Sequence, residues 1–271
     1  MRNSRVKNMT IAESKVRTVL VTGASTGIGF ELARCFAKDG YNVVLVARSA
    51  ERTPLAAERL ANEFSVSATY IISDLGQPNA ARSLVEELGR RQLDIDVLVN
   101  NAGFGEAGAF SSASAVSQLG MIDLNVRSLT ELALLLVPRM MEKGQGGILN
   151  VASMAAFQPN PFMAVYGASK AYVLALSEAL WEEARGTGVH ISCLCPGATA
   201  SQFHKRAGTD RLPAARVRMM TAEQVAKSGF RAFQENKRVE VPGISNKITS
   251  RIPQFMPRVL LLRGLRRFFE P

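Results

Sequence analysis

One stretch near the start decides most of what this chain can fold into. Residues 18–22, TVLVT, are a short apolar run rich in β-branched side chains, the composition of a buried strand. Gly23-Ala-Ser-Thr-Gly27-Ile-Gly29 follows at once, and FELARCFAKD then carries a helical pattern that Gly40 ends. A strand, a glycine turn and a helix in that order aim backbone N–H groups and a helix N-terminus at one place, a geometry suited to a pyrophosphate. The spacing is G-x-x-x-G-x-G rather than G-x-G-x-x-G. In its strand–turn–helix setting it predicts a dinucleotide site.

The rest of the chain repeats the alternation. Strands are predicted over 42–47, 68–73, 96–100, 148–152, 189–194 and 238–241. Helices are predicted over 51–63, 78–92, 117–143, from Tyr166 to about 185, and over 221–236 with Thr221 as N-cap. Residues 104–117 read as a loop, and 198–220 as polar and irregular. Strands alternating with helices imply an α/β chain: one Rossmann-like, doubly wound parallel sheet of about seven strands, with helices on both faces. The expected division is a basic flexible leader over 1–17, a catalytic, nucleotide-binding domain over 18–243, and a basic amphipathic extension over 244–271.

The second strand ends in Ala47-Arg48 with no acid beside it. An NAD site usually has a carboxylate there for the ribose 2′-hydroxyl, whereas a 2′-phosphate needs a cation. Arg48, with its forked donors, therefore points to NADP(H) over NAD(H).

Chemistry enters at 153–170. Tyr166 and Lys170 are four residues apart, which on a helix places them on one face, roughly 5–6 Å apart at Cβ. An ammonium at that distance is expected to lower the phenol pKa from about 10 toward neutrality, where it gives or takes a proton at working pH. Ser153, thirteen residues upstream, is placed to donate to the same substrate oxygen.

The net charge of +10 sits at the two ends. Residues 1–17 hold five basic and one acidic side chain, residues 244–271 hold six and one, and the body between holds 22 and 21. A nucleic-acid groove in the body is not supported. Cys35, Cys193 and Cys195 have no framework spacing and only two histidines are present, so core thiols and no metal are expected. A cytoplasmic protein is the corresponding expectation: no signal peptide is visible and no apolar run reaches membrane-spanning length.

Taken together, TGASTGIG (22–29), Asp74-Leu75, NNAG (100–103), Asn125, Ser153, Tyr166-x-x-x-Lys170 and Pro196-Gly197 resemble the short-chain dehydrogenase/reductase family over about 16–243. NNAGFGEAGAF, PFMAVYGASKA and VPGISNK resemble a branch of generic bacterial reductases. The resemblance implies that Gly23, Ser25, Thr26, Gly27, Ile28 and Gly29 hold the pyrophosphate. It implies that Asp74 and Leu75 flank the adenine, and that Asn101, Ala102 and Gly103 line the ribose side. Pro196, Gly197, Thr199 and Ser201 would contact the nicotinamide end, Ser201 standing where the family often has threonine. Tyr166 would be the acid for carbonyl reduction and the base in reverse. Lys170 would hold the nicotinamide ribose, Ser153 the substrate oxygen, and Asn125 a water in the proton path.

Phe104, Phe110, Met154, Phe157, Phe162, Met163 and Phe203 fall in loops expected to face the nicotinamide. An apolar pocket suits a small hydrophobic ketone, aldehyde or alcohol. The expected activity is NADP(H)-dependent hydride transfer by a homo-oligomer, dimer or tetramer, with no nucleic-acid partner. The alternative is a catalytically silent NADP-sensing regulator on the same fold. At the C-terminus, residues 257–269 predict an amphipathic helix whose Leu260, Leu261, Leu262, Leu265, Phe268 and Phe269 share one arc, opposite Arg263, Arg266 and Arg267. So short a helix must dock. Docking on protein, as a lid or against another subunit, is preferred to docking on an anionic membrane.

Overall fold

A computed structural model describes residues 16–201, 203, 207–209 and 219–270. Residues 1–15 of the expected leader lie outside it, as do most of 202–218. The first strand, β1 (Thr18–Thr22), feeds α1 (Gly27–Lys38) and then β2 (Asn42–Ala47). After these come α2 (Arg52–Phe64), β3 (Ala68–Ile72), α3 (Ala80–Arg90) and β4 (Val97–Asn100). A nearly continuous helical rod follows: α4 (Ala115–Ile122), a π-helical turn (Asp123–Ser128) and α5 (Leu129–Lys143). The next unit is β5 (Gly147–Val151), α6 (Ala164–Glu183) and β6 (His190–Leu194). Two short strands, β7 (Thr199–Ala200) and β8 (Met220–Thr221), lead to α7 (Ala222–Gln234) and β9 (Val239–Glu240). Three short helices close the chain: α8 (Ile244–Thr249), α9 (Ile252–Phe255) and α10 (Arg258–Phe269).

The main sheet has seven parallel strands in the order β3-β2-β1-β4-β5-β6-β9. Alternate strand residues enter opposite cores, as the period of two requires. Val19, Val21, Val43, Leu45, Val97, Val99 and Leu149 pack with α1, α2 and α7 residues. Leu20, Val44, Val46, Leu98 and Ile148 pack with α3 and α5 residues. Phe36 of α1 is fully buried, with the rings of Phe230, Tyr41 and Phe233 at 4.8, 5.2 and 5.6 Å. The strand order reverses between β1 and β4, so a crevice opens there at the carboxyl ends of the strands.

Three local features differ from the sequence expectation. First, α1 begins at Gly27, inside the glycine turn, and not after it. Second, the predicted 117–143 helix contains a π-turn at Asn125, because that side chain bonds outside the helix. Third, Thr221 does cap α7, in a reciprocal pair with Gln224, but β7 and β8 form a small parallel pair in the stretch expected to be irregular. Cys193 and Cys195 are the buried core thiols that were expected, with sulfurs 3.8 Å apart.

The C-terminal helix forms one residue inside its expected start, but its docking is thin. Leu261 is buried and Leu265 half-buried, while Leu260 and Leu262 of the same predicted arc are exposed.

Candidate active site

The glycine turn is built around an amide. Thr22 Oγ1 accepts from the N–H groups of Asn101 and Ala102, both at 3.0 Å, and Asn101 Nδ2 donates to the carbonyls of Thr22 and Gly23 at 2.8 and 3.2 Å. A Cβ on Gly29 would stand 2.3 Å from Asn101 Nδ2 and 2.5 Å from the Gly23 carbonyl oxygen. The ends of β1 and β4 are thus locked together, and glycine is required where they meet.

The turn leads into the N-terminus of α1. Thr26, its N-cap, makes no side-chain capping bond, and the first turn holds no acid. The leading N–H groups of α1 are therefore left to a ligand, with the positive end of the helix behind them. Gly27 carries no side chain there, and the nearest atom to a Cβ built on it is Ser201 Cβ at 3.7 Å.

Those groups open onto a cavity of about 550 Å³. Gly23, Thr26, Gly27, Ile28, Gly29, Arg48, Asn101 and Gly103 line one end. Ser153, Tyr166, Lys170, Pro196, Gly197, Thr199 and Ser201 line the other. Five expected site residues do not form its wall. Ser25 stands beside it in the glycine turn. Asp74 turns its carboxylate to the N–H of Gly76 at 3.2 Å and toward Arg48, 3.9 Å away. Leu75 is buried in the core below. Ala102 lies under Gly23, its Cα 2.9 Å from where a Gly23 Cβ would be. Asn125 is buried as a clamp, and its bonds explain the π-turn. Its Nδ2 donates to the Phe104 carbonyl at 2.9 Å and to Ser169 Oγ at 3.1 Å, and its Oδ1 accepts from the Phe104 N–H at 3.1 Å. With both amide protons so used, the side chain is a positioning group between the 104 loop and α6. Non-α turns of this kind gather at functional sites.

Tyr166 and Lys170 occupy one face of α6 and are both nearly buried. Lys170 Nζ donates to the Val151 carbonyl at 2.9 Å, at the end of β5, and lies 5.9 Å from the Tyr166 ring centroid. Ser153 follows β5 and heads a short 3₁₀ turn, its Oγ accepting from the Ala155 N–H at 3.1 Å. The expected fall in the phenol pKa is not found. Burial pushes Tyr166 up to about 12, the Ser153 hydroxyl pulling it partly back. Burial likewise pushes Lys170 down to about 8. Desolvation dominates at Tyr166, while the Lys170 ammonium is engaged by the Val151 carbonyl. Burial therefore keeps the Tyr166 phenol protonated.

A line of buried amides registers α6 on the sheet. Asn100 Nδ2 donates to Asn150 Oδ1 at 3.1 Å, Asn150 Nδ2 to Ser177 Oγ at 2.9 Å, and Ser177 Oγ to the Val173 carbonyl at 2.6 Å. Asn160 was not singled out from sequence. It is buried, donates to the carbonyls of Ala155 and Gln158 at 2.8 and 2.7 Å, and packs where a Gly167 side chain would be. It fixes the turn between Ser153 and Tyr166. No local pattern marks it, since its partners meet only in the fold.

The wall around Ser153 and Tyr166 is mixed. Phe104, Met154, Phe157, Met163 and Phe203 line the cavity. Phe110 is exposed and Phe162 is not in the wall, so these two aromatic expectations fail. Ser245, Asn246, Thr249 and Ser250 complete the wall from α8 and its end. The chain past residue 243 is thus part of the cavity, while none of the described α10 residues lines it, which leaves the lid alternative for that helix without support.

Four likenesses bear on this arrangement. Residues 17–212 match the short chain dehydrogenase family. The ketoacyl reductase HetN of Nostoc sp. is 35% identical over 247 residues, covering 89% of this chain and 83% of that protein. A short-chain dehydrogenase from Sphingobium yanoikuyae, solved in complex with NADPH, superposes with a TM-score of 0.80 at 33% identity, covering 92% of this chain and 95% of the other. The bulky-bulky ketone specific alcohol dehydrogenase from Comamonas testosteroni superposes at 0.76 with 32% identity, covering 94% and 96%.

Proposed function

This chain belongs to the short-chain dehydrogenase/reductase family, and from that premise we propose that it interconverts a hydrophobic ketone or aldehyde and its alcohol with NADP(H). It is an oxidoreductase acting on C=O and CH–OH groups. The observation that carries the finer reading is the convergence of Ser153, Tyr166 and Lys170 at one end of a cavity whose other end holds the α1 N-terminus and Arg48. NADP(H) fits those residues: uncapped N–H groups suit a pyrophosphate, and an Arg48 side chain 63% exposed suits a 2′-phosphate. NADPH bound in the Sphingobium relative supports the same cofactor here.

When bound, the nicotinamide supplies or takes the hydride. The chain's own residues handle the oxygen and the proton. Ser153 Oγ donates to the substrate carbonyl oxygen. Tyr166, kept protonated by burial, gives its proton to that oxygen as negative charge develops there, and takes it back in alcohol oxidation. Lys170, fixed to the Val151 carbonyl, would hold the nicotinamide ribose hydroxyls. Asn125 and Asn160 hold the flanking segments and so the distance between Ser153 and Tyr166. The apolar wall of Phe104, Phe157, Met163 and Phe203 excludes water and favours bulky apolar groups. The ketone preference named for the Comamonas relative supports that substrate class.

The test is NADPH oxidation, followed by absorbance, against a panel of bulky ketones. Tyr166→Phe should cut kcat by about 10²–10⁴-fold while NADPH binding, read by fluorescence, survives. Retention of more than about a tenth of kcat rejects Tyr166 as the acid. A homo-oligomer belongs to the same proposal: Val116, Leu119 and Leu134 of α4 and α5 are 84%, 60% and 70% exposed. Mass by light scattering checks it.

A further inference from the structure

We propose that the face formed by α8, α9 and α10 docks on an anionic lipid bilayer. The first observation is an inverted helix. On α8, Ser245, Asn246 and Thr249, with Ser250 just beyond, line the cavity, Ser245 and Thr249 at its exposed rim. Ile244 and Ile248, one turn apart on the other side, are 80% and 61% exposed, with Lys247 beside them. A helix adapted to water carries its apolar stripe inward. Here the polar side lines the cavity and the apolar side faces away from it, exposed.

The next two helices continue that surface. Ile252 is half-exposed, Phe255 is 84% exposed, and Val259 and Leu260 are each 58% exposed. Arginines are interleaved with them. Arg266 reaches Glu270, the one acid after residue 243, and Lys247 reaches Glu240. Among the described residues Arg251, Arg258, Arg263 and Arg267 have no acidic partner. The surface therefore joins large apolar side chains to uncompensated positive charge.

That combination selects among occupants. A second copy docked about a twofold axis would bring two such basic faces together, since an isologous contact pairs a patch with itself. Residues 1–15 carry four basic side chains and one acidic, so they repel the same face. A polynucleotide would match the charge and leave the isoleucines and Phe255 against water. An anionic bilayer matches both: headgroup phosphates for the guanidinium groups, and the acyl boundary for the apolar side chains. Among the described residues no helix is long and apolar enough to cross a membrane, so the mode is contact with the surface.

The experiment uses the full chain with sedimentable vesicles of phosphatidylcholine alone or with phosphatidylserine. Binding is expected to the mixed vesicles, to be weak on phosphatidylcholine, and to fall when salt is raised. Arg258→Gln, Arg263→Gln and Arg267→Gln should each lower it by about fivefold. Phe255→Ser combined with Leu260→Ser should weaken it at equal charge, with thermal midpoint and ketone turnover unchanged. Absence of binding to the mixed vesicles overturns the proposal, as does equal binding to both vesicle types. So does a drop in oligomer mass with Phe255→Ser, which would make the face a subunit interface. Vesicle binding that Phe255→Ser and Leu260→Ser leave intact overturns it too, by reducing the face to a general polyanion site.

Discussion

Phe36 and Phe255 are the same residue in opposite circumstances. Phe36, on α1 behind the nucleotide end of the cavity, is fully buried among three other rings. Phe255, on α9 outside the substrate end, is 84% exposed. Around Phe36 the chain is constrained from every side: strands covered on both faces, a glycine turn that admits no Cβ, amides paired across strand ends. Around Phe255 the chain makes little contact with itself. The nucleotide end is held by the fold's own packing, and the outer substrate wall presents side chains to something else. A residue's type therefore says little about its work until its side of the cavity is known.

The comparison can be broken by mutation, and the largest effect is expected at its buried pole. Phe36→Ala should lower unfolding stability by about 3–5 kcal/mol, read by denaturant melts. A loss under about 1 kcal/mol, as for a surface site, would mean that α1 is not the anchor described here.

Arg48→Ala comes next. It should weaken NADPH binding by about 1.5–3 kcal/mol and leave NADH nearly unchanged. Equal losses, measured by titration of each cofactor, would show that Arg48 does not read the phosphate. The variant also leaves Asp74 without its cation, which sharpens the discrimination against a phosphate.

The third effect is a pH dependence at the centre of the cavity. Burial lowers Lys170 to about 8, so its ammonium is present below that pH and lost above it. The kcat/KM for NADPH should fall by about tenfold per pH unit above 8. Tyr166, pushed up to about 12, keeps its proton through that range. Lys170→Arg, which stays charged, should move the falling limb upward. A limb unmoved by that change belongs to another group. The stability sign is opposite. Between about 8 and the usual lysine value the unfolded chain binds more protons than the folded one, so Lys170 contributes rising stability as pH rises through that window.

The smallest effect belongs to the exposed pole. Phe255→Ser should change unfolding stability by less than about 0.5 kcal/mol. A larger loss would show that α9 supports the monomer after all.

Legibility in the sequence follows the same division. The convergence of Gly23, Gly27 and Gly29 with Ser153, Tyr166 and Lys170 on one cavity was readable because backbone closeness and side-chain chemistry each admit few residue types at fixed spacing. The parallel sheet was readable from its apolar strand runs. The π-turn was not, since DLNVRS carries no break in helical pattern and the cause is a bond from Asn125 to the distant Phe104 backbone. The Tyr166 pKa was misjudged because spacing shows that a lysine is near but not where its ammonium points. Asn160 and the α8 wall were missed for a related reason: their partners are brought in by the fold. Phe110 and Phe162 show the limit of counting loop aromatics, because a loop's sequence does not say which side of it faces inward.

The buried line from Asn100 through Asn150 to Ser177 has a consequence for descent. It ties the helix bearing Tyr166 and Lys170 to the middle of the sheet, by bonds that never touch the segment after residue 243. Inheritance can therefore act on the two parts at different speeds. Changes at Ser245, Asn246 or Thr249 redraw what the cavity accepts without moving the phenol or the ammonium. A lineage built on this plan is free to explore new substrates with its last thirty or so residues while passing on its proton chemistry intact.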